Sequence, residues 1–108
     1  MAENPRKEKL ASLLKELIAQ YIEENSTAAS VSMITVTDCV VSSDTRRAKA
    51  FITVFPESAE QKALDFAKRK RSDIREYIKD HSRMRSLPFI DIEIDRGEKN
   101  RQRIDEVL

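Results

Sequence analysis

The sequence predicts an α+β domain of two layers, with helices packed on one face of a small mixed sheet. Apolar residues recur at helical spacing near the N-terminus and again past the middle of the chain, while two other segments alternate with a period of two and a third is rich in β-branched residues. Read in order, these segments run helix, strand, strand, helix, a further helix, strand, and a sheet covered by helices on one side is the simplest way to bury all of them. At 108 residues, one domain is expected, hiding roughly two thirds of the surface its unfolded chain would expose. Only 6% of residues are aromatic and none is Trp, so the core must be aliphatic; 40% hydrophobic residues suffice for the chain to fold unaided.

The first helix runs from Arg6 to Glu24, where Leu10, Leu13, Leu14, Leu17, Ile18, Tyr21 and Ile22 form an i, i+3, i+4, i+7 ladder. The stretch ENSTAAS at 24–30 should end it, because Ser, Thr and Asn side chains compete for helical hydrogen bonds. Two strands follow. VSMITVTDCVVSS (31–43) is rich in β-branched residues, and in AKAFITVF (48–55) Ala48, Ala50, Ile52 and Val54 alternate with Lys49, Phe51, Thr53 and Phe55. A turn at 43–46 joins them as an antiparallel hairpin, and Pro56 stops the second strand. Ser58 with Gln61 three residues later fits a capping box opening a helix through Ala63, Leu64, Phe66 and Ala67. In the last strand Ile90, Ile92 and Ile94 alternate with Asp91, Glu93 and Asp95, and Pro88 stands at its entrance.

The second helical region contains a contradiction. Its apolar ladder passes through Ala63, Ala67, Ile74 and Ile78, and in one straight helix Lys70 would point into that stripe. A buried, unpaired ammonium costs several kcal/mol. Either the helix breaks near Lys70 to Ser72 or Lys70 snorkels out along its stem; the break is favoured, with the helix restarting at Ser72 as N-cap and Asp73 in its first turn. Two helices meeting at a basic corner would aim backbone N–H groups outward beside Lys68, Arg69, Arg71 and Arg75, an arrangement suited to phosphate.

Charge is segregated around that corner. The whole chain has a formal charge of +1, yet residues 68–85 hold eight Lys/Arg (68, 69, 70, 71, 75, 79, 83 and 85) against three acids, a net of +5. The remainder holds twelve against sixteen, a net of −4. Nucleic-acid binding through Lys68, Arg69, Lys70, Arg71, Ser72, Arg75, Lys79, Arg83 and Arg85 is one reading; a solvated helix face with local ion pairs is the other. Arg46 and Arg47 at the hairpin turn either extend the basic surface or keep the turn soluble.

The order of elements is that of a type II KH-like domain (αββααβ), and the chain resembles the ribosome-binding factor A family over nearly its whole length. The resemblance is carried by ITVTDCVVSSDTRRAKAFITVF at 34–55, Ile74 and Arg75, MRSLPFIDIEID at 84–95, and Arg103 with Ile104. It implies a KH-like RNA-binding domain at 1–96 with its helices on one face of a three-stranded sheet; the residues of the tail at 97–108 could themselves form a short helix, with Ile104, Val107 and Leu108 against the domain. It also implies a monomeric, non-enzymatic assembly factor that binds the small ribosomal subunit and its 16S rRNA and assists late rRNA maturation. In that family a helix-kink-helix centred on Ala-x-Gly replaces the usual KH GxxG loop; here Lys70, Arg71 and Ser72 occupy those positions, and Ser admits a kink less freely than Gly. The segment STAASVSM also departs from the Asp-Pro-Arg-like element that often precedes the first strand.

Other chemistries find little support. His81 is the only histidine, so no histidine triad or multi-histidine metal site can be assembled. Cys39 is the only cysteine and lies in an apolar run, which suits a small core residue and no disulfide. Asp91, Glu93 and Asp95 are expected to solvate one sheet face and to keep RNA off it. One glycine cannot build a phosphate loop. No enzyme activity, metal or cofactor is expected. Without a long apolar run or a signal-like N-terminus, a soluble cytoplasmic protein away from membranes is expected. The competing function is a protein-interaction domain that docks another chain by its hairpin edge or its leucine-rich first helix without touching RNA.

Overall fold

The structure, a computed structural model, describes residues 5–25 and 33–97. Helix α1 spans Pro5–Asn25, strands β1 and β2 span Met33–Val41 and Arg47–Phe55, helices α2 and α3 span Glu60–Arg69 and Arg71–Asp80, and strand β3 spans Phe89–Ile94. The sheet order is β1-β2-β3, with β1 antiparallel and β3 parallel to the central β2. The parallel pairing requires a crossover, which α2 and α3 supply. The tail from residue 98 onward, including Ile104, Val107 and Leu108, lies outside the described residues.

All three helices cover one face of the sheet. Leu14, Leu17, Ile18, Tyr21 and Ile22 of α1, Ala63 and Ala67 of α2, and Ile74 and Ile78 of α3 meet the even-numbered residues of β2 and β3: Ala48, Ala50, Ile52, Val54, Ile90, Ile92 and Ile94. Small Ala on α2 and β2 opposite Ile on β3 lets the layers approach, as an aliphatic core without Trp must do to reach native packing density.

Strand β1 cannot keep that parity. Val36 faces the core opposite Ile52, but farther on Cys39 and Val41 face it, because a bulge between Val36 and Asp38 puts an extra residue in β1. The inserted residue switches the inward set from even to odd. Cys39 behaves as a small apolar residue: burial, aided by the neighbouring Asp38 charge, pushes its thiol up to about 12, so no thiolate forms near neutral pH.

The hairpin turn is held by side chains as well as backbone. Buried Ser42 is satisfied on both sides, its hydroxyl donating to Asp44 Oδ1 (2.7 Å) and accepting the Arg47 N–H (3.1 Å). Asp44 also takes the Arg46 N–H at 3.0 Å; that bond first, then the Ser42 hydroxyl, holds its carboxyl below the usual range. Thr45 sits at φ 58°, a left-handed conformation that a β-branched residue rarely adopts.

One local expectation is corrected. Ser58 does not cap α2 through a capping box with Gln61. A 3-10 turn over Glu57–Ala59 leads into the helix, Ala59 is the cap residue without a side-chain bond, and Gln61 donates instead to Asp65 (3.0 Å). The Ala59 N–H goes to the Pro56 carbonyl, so the tighter turn takes up a donor that a cap would otherwise serve. Phe51, out of phase with the core residues of β2, is nonetheless fully buried (0% exposed). It lies on the side away from the helices, where the Thr37 hydroxyl lies within hydrogen-bonding distance of both Asp95 Oδ2 (2.6 Å) and the Phe51 carbonyl oxygen (3.2 Å).

Candidate nucleic-acid interface

The basic segment breaks where its apolar stripe demands it. α2 ends at Arg69, α3 begins at Arg71, and Lys70 between them has φ −96°, ψ 11°, outside the helical well. Its ammonium is thereby carried out of the stripe to 3.8 Å from Asp73, with the side chain 41% exposed. Ser72 is not the N-cap. Lys70 fills that place, no side chain caps the joint, and Ser72 lies exposed in the first turn of α3. The hydrogen-bond ladder crosses the joint instead: the Lys70 N–H is shared by the Phe66 and Ala67 carbonyls (3.2 and 3.1 Å), and the Lys70 carbonyl accepts the Ile74 N–H at 2.8 Å. The bend costs little backbone bonding, which is why no glycine is needed there.

The corner stands beside β3, an edge strand, and its cations reach around that edge. Lys68 Nζ and Arg71 Nη1 converge on Asp91 Oδ1 at 3.3 and 3.1 Å, while Arg71 Nε donates to the Lys68 carbonyl (3.1 Å). Asp91 also accepts the Ile92 N–H at 2.8 Å. Burial alone would raise the Asp91 pKa, but the Ile92 N–H and the two cations outweigh it and hold the carboxyl below its ordinary value. The Arg71 guanidinium lies over the Phe89 ring, 5.9 Å from its centroid. One turn later in α3, Arg75 donates to two backbone carbonyls, Nε to Pro88 (3.3 Å) and Nη2 to Leu87 (3.2 Å), and has no carboxylate partner among the described residues.

The acidic row of β3 is therefore not a solvated face as expected. Asp91 is neutralised by Lys68 and Arg71, Glu93 by Lys49 at 3.3 Å, and Asp95 accepts the Thr37 hydroxyl. Its capacity to repel phosphate falls accordingly. Arg69, Lys79, Arg83 and Arg85 are exposed and have no ion-pair partner among the described residues. Lys68, Arg71 and Arg75 thus gather along the β3 edge, Lys79 follows Arg75 by one turn on α3, Arg83 and Arg85 lie on the loop after it, and Lys70 turns away to Asp73. His81 ends α3, its ring stacked on Tyr77 at 3.9 Å and its Nδ1 2.8 Å from the Tyr77 carbonyl. Among the described residues no group of potential metal ligands converges.

Sequence reasoning missed Phe89. It stands in phase with Asp91 and Glu93, so an aromatic ring at a polar position was the available signal, and it remains 58% exposed. Together with Arg46 and Arg75 it lines an open groove of about 610 Å³ between the hairpin turn and the loop before β3.

Comparison with known proteins gives consistent matches. The family described as ribosome-binding factor A matches residues 6–108. Ribosome-binding factor A of Thermodesulfovibrio yellowstonii is 31% identical over 103 residues, covering 95% of this chain and 87% of the relative. That of Natranaerobius thermophilus is 30% identical over 104 residues, covering 95% and 79%. Among solved structures, the crystal structure of ribosome-binding factor A from Thermus thermophilus superposes with a TM-score of 0.69 at 24% identity, covering 80% of this chain and 92% of that one. A homology model of the Thermus thermophilus factor, fitted into a cryo-EM map of its 30S complex, superposes at 0.64 and 23% identity, covering 75% and 86%. At these identities the structures carry the fold.

Proposed function

This chain belongs to the ribosome-binding factor A family, and on that premise we propose that it binds the small ribosomal subunit and assists late 16S rRNA maturation as a non-enzymatic assembly factor, using the basic helix-kink-helix surface. The supporting observation is the distribution of neutralised charge. Of the eight cations in residues 68–85, Lys68, Lys70 and Arg71 meet carboxylates, while Arg69, Arg75, Lys79, Arg83 and Arg85 meet none among the described residues. A polyanion supplies what they lack. Contacts of this kind position a protein on phosphates without reading sequence, so low base specificity is expected.

Five available cations correspond to a log–log salt slope of roughly −3 to −5 for RNA affinity. The test is co-sedimentation of the chain with purified small subunits across a salt series. Replacing Arg69, Lys79, Arg83 and Arg85 with Glu should abolish co-sedimentation while leaving the thermal unfolding transition in place, since none of the four supports the fold through an ion pair among the described residues. Retained binding would remove this surface from the account. A second reading, docking of a protein chain without RNA contact, draws on Met33 and Phe55, register partners at one end of the sheet that are 67% and 75% exposed. Association through that apolar pair would barely respond to salt.

A further inference from the structure

We infer that the groove between the hairpin turn and the start of β3 holds one unpaired nucleotide of RNA, its base on the Phe89 ring and its phosphates against Arg46 and Arg75. This inference rests on the RNA-binding reading above and names a subsite that the basic corner alone does not contain.

The groove is built as a rigid unit. The Phe89 N–H donates to the Arg46 carbonyl at 2.8 Å, and Arg47 is the register partner of Phe89, so the backbone that carries the ring is tied to the turn. From the other side, Arg75 is fixed by its bonds to the Pro88 and Leu87 carbonyls. Those bonds use Nε and Nη2, which leaves Nη1 as a donor aimed by the fork geometry of the guanidinium. The Arg46 guanidinium makes no hydrogen bond or ion pair among the described residues and acts on Asp44 only through space. The one acid of the lining, Asp44, already accepts the Ser42 hydroxyl and the Arg46 N–H. Two guanidiniums that close no ion pair among the described residues therefore flank an aromatic ring that is 58% exposed.

That set matches a nucleotide better than its alternatives. A groove of about 610 Å³ lies within the size range of small-molecule sites. Stacking on an aromatic platform with phosphate contacts to either side is the recurrent way proteins hold single-stranded nucleic acid. The Arg71 guanidinium, 5.9 Å from the ring centroid, is a cation drawn to the same π system. In a duplex the base face is occupied by its neighbours, so the site selects unpaired RNA.

The experiment measures fluorescence anisotropy with a fluorescein-labelled single-stranded RNA 12-mer of mixed sequence and with its duplex. Phe89→Leu keeps the bulk and loses the ring; it should weaken single-strand binding roughly tenfold and leave duplex affinity unchanged. Phe89→Tyr should bind like the parent, and Arg46→Glu should lower affinity and flatten the salt slope by about one. Cross-linking of the parent chain to the 12-mer carrying 4-thiouridine should mark the peptide that contains Phe89, a readout that needs no variant to fold. Equal single-strand affinity for Phe89→Leu and the parent, an equal loss for duplex and single strand, or cross-links absent from that peptide would each overturn the inference. If Arg46→Glu and Phe89→Leu weaken association with intact subunits but not with the 12-mer, the groove meets protein and the inference fails. Failure of the broader reading looks different: the parent chain then binds neither RNA nor subunits.

Discussion

The two halves of the basic segment carry similar charge and use it differently. Around the joint, Lys68 and Arg71 close on Asp91 and Lys70 turns to Asp73, so three cations there are already committed within the domain. Farther on, Lys79, Arg83 and Arg85 are exposed, with no ion-pair partner among the described residues. Along the β3 edge Lys68 and Arg71 find a carboxylate while Arg75 finds only backbone carbonyls, and the cations beyond the edge find neither among the described residues. Formal charge summed along a sequence therefore overstates what a ligand meets, and the topology decides how much of it remains available.

The largest expected effect comes from removing each set in turn. Lys68→Ala with Arg71→Ala leaves a part-buried Asp91 without cations. Thermal and urea unfolding should show a loss of about 1–2 kcal/mol, moderated because both cations are more than a third exposed. Arg83→Ala with Arg85→Ala should change stability by less than about 0.5 kcal/mol, yet lower affinity for small subunits and reduce the salt slope. If the two pairs proved interchangeable in both measurements, the division into committed and available cations would be lost.

A smaller effect is expected from pH. The Asp91 carboxyl is held below its value in the unfolded chain, so its contribution is present above that unfolded value, about 3.9, and is lost as pH falls through the lower folded one. Asp91→Asn should therefore be less stable than the parent at neutral pH, with the gap closing below about pH 4. A constant difference between the two curves down to pH 2 would show that the carboxylate charge is not what binds the edge together.

Much of the fold was legible because local signals and global packing agree. The ladder of Leu10 to Ile22, the alternation of Ile90, Ile92 and Ile94, and the misfit of Lys70 in its stripe each follow from a single periodicity. The errors share a different cause. Ser58 and Ser72 have the chemistry of caps, but the 3-10 turn and the continuous ladder through Lys70 satisfied the backbone first. The bulge in β1 appears only when its register against β2 is known. Asp91 looked like a solvated residue because its partners stand 20 and 23 positions away. Nothing in one sequence says which charges a sheet edge will bring together. Phe89 was overlooked for the opposite reason: it matched the period of an acidic row, and an exposed aromatic ring at such a position is the cue that sets it apart.

The parallel pairing of β3 with β2 also sets an order of events as the chain collapses. The β1–β2 hairpin closes over a handful of residues, whereas β3 must wait until both crossover helices have formed, a long loop whose closure entropy is met only at docking. Because Asp91 arrives with β3, the elbow between α2 and α3 acquires its final shape last. Pulse-labelling hydrogen exchange should find the hairpin amides protected before those of Ile90 to Ile94; simultaneous protection would mean that the elbow matures together with the rest of the fold.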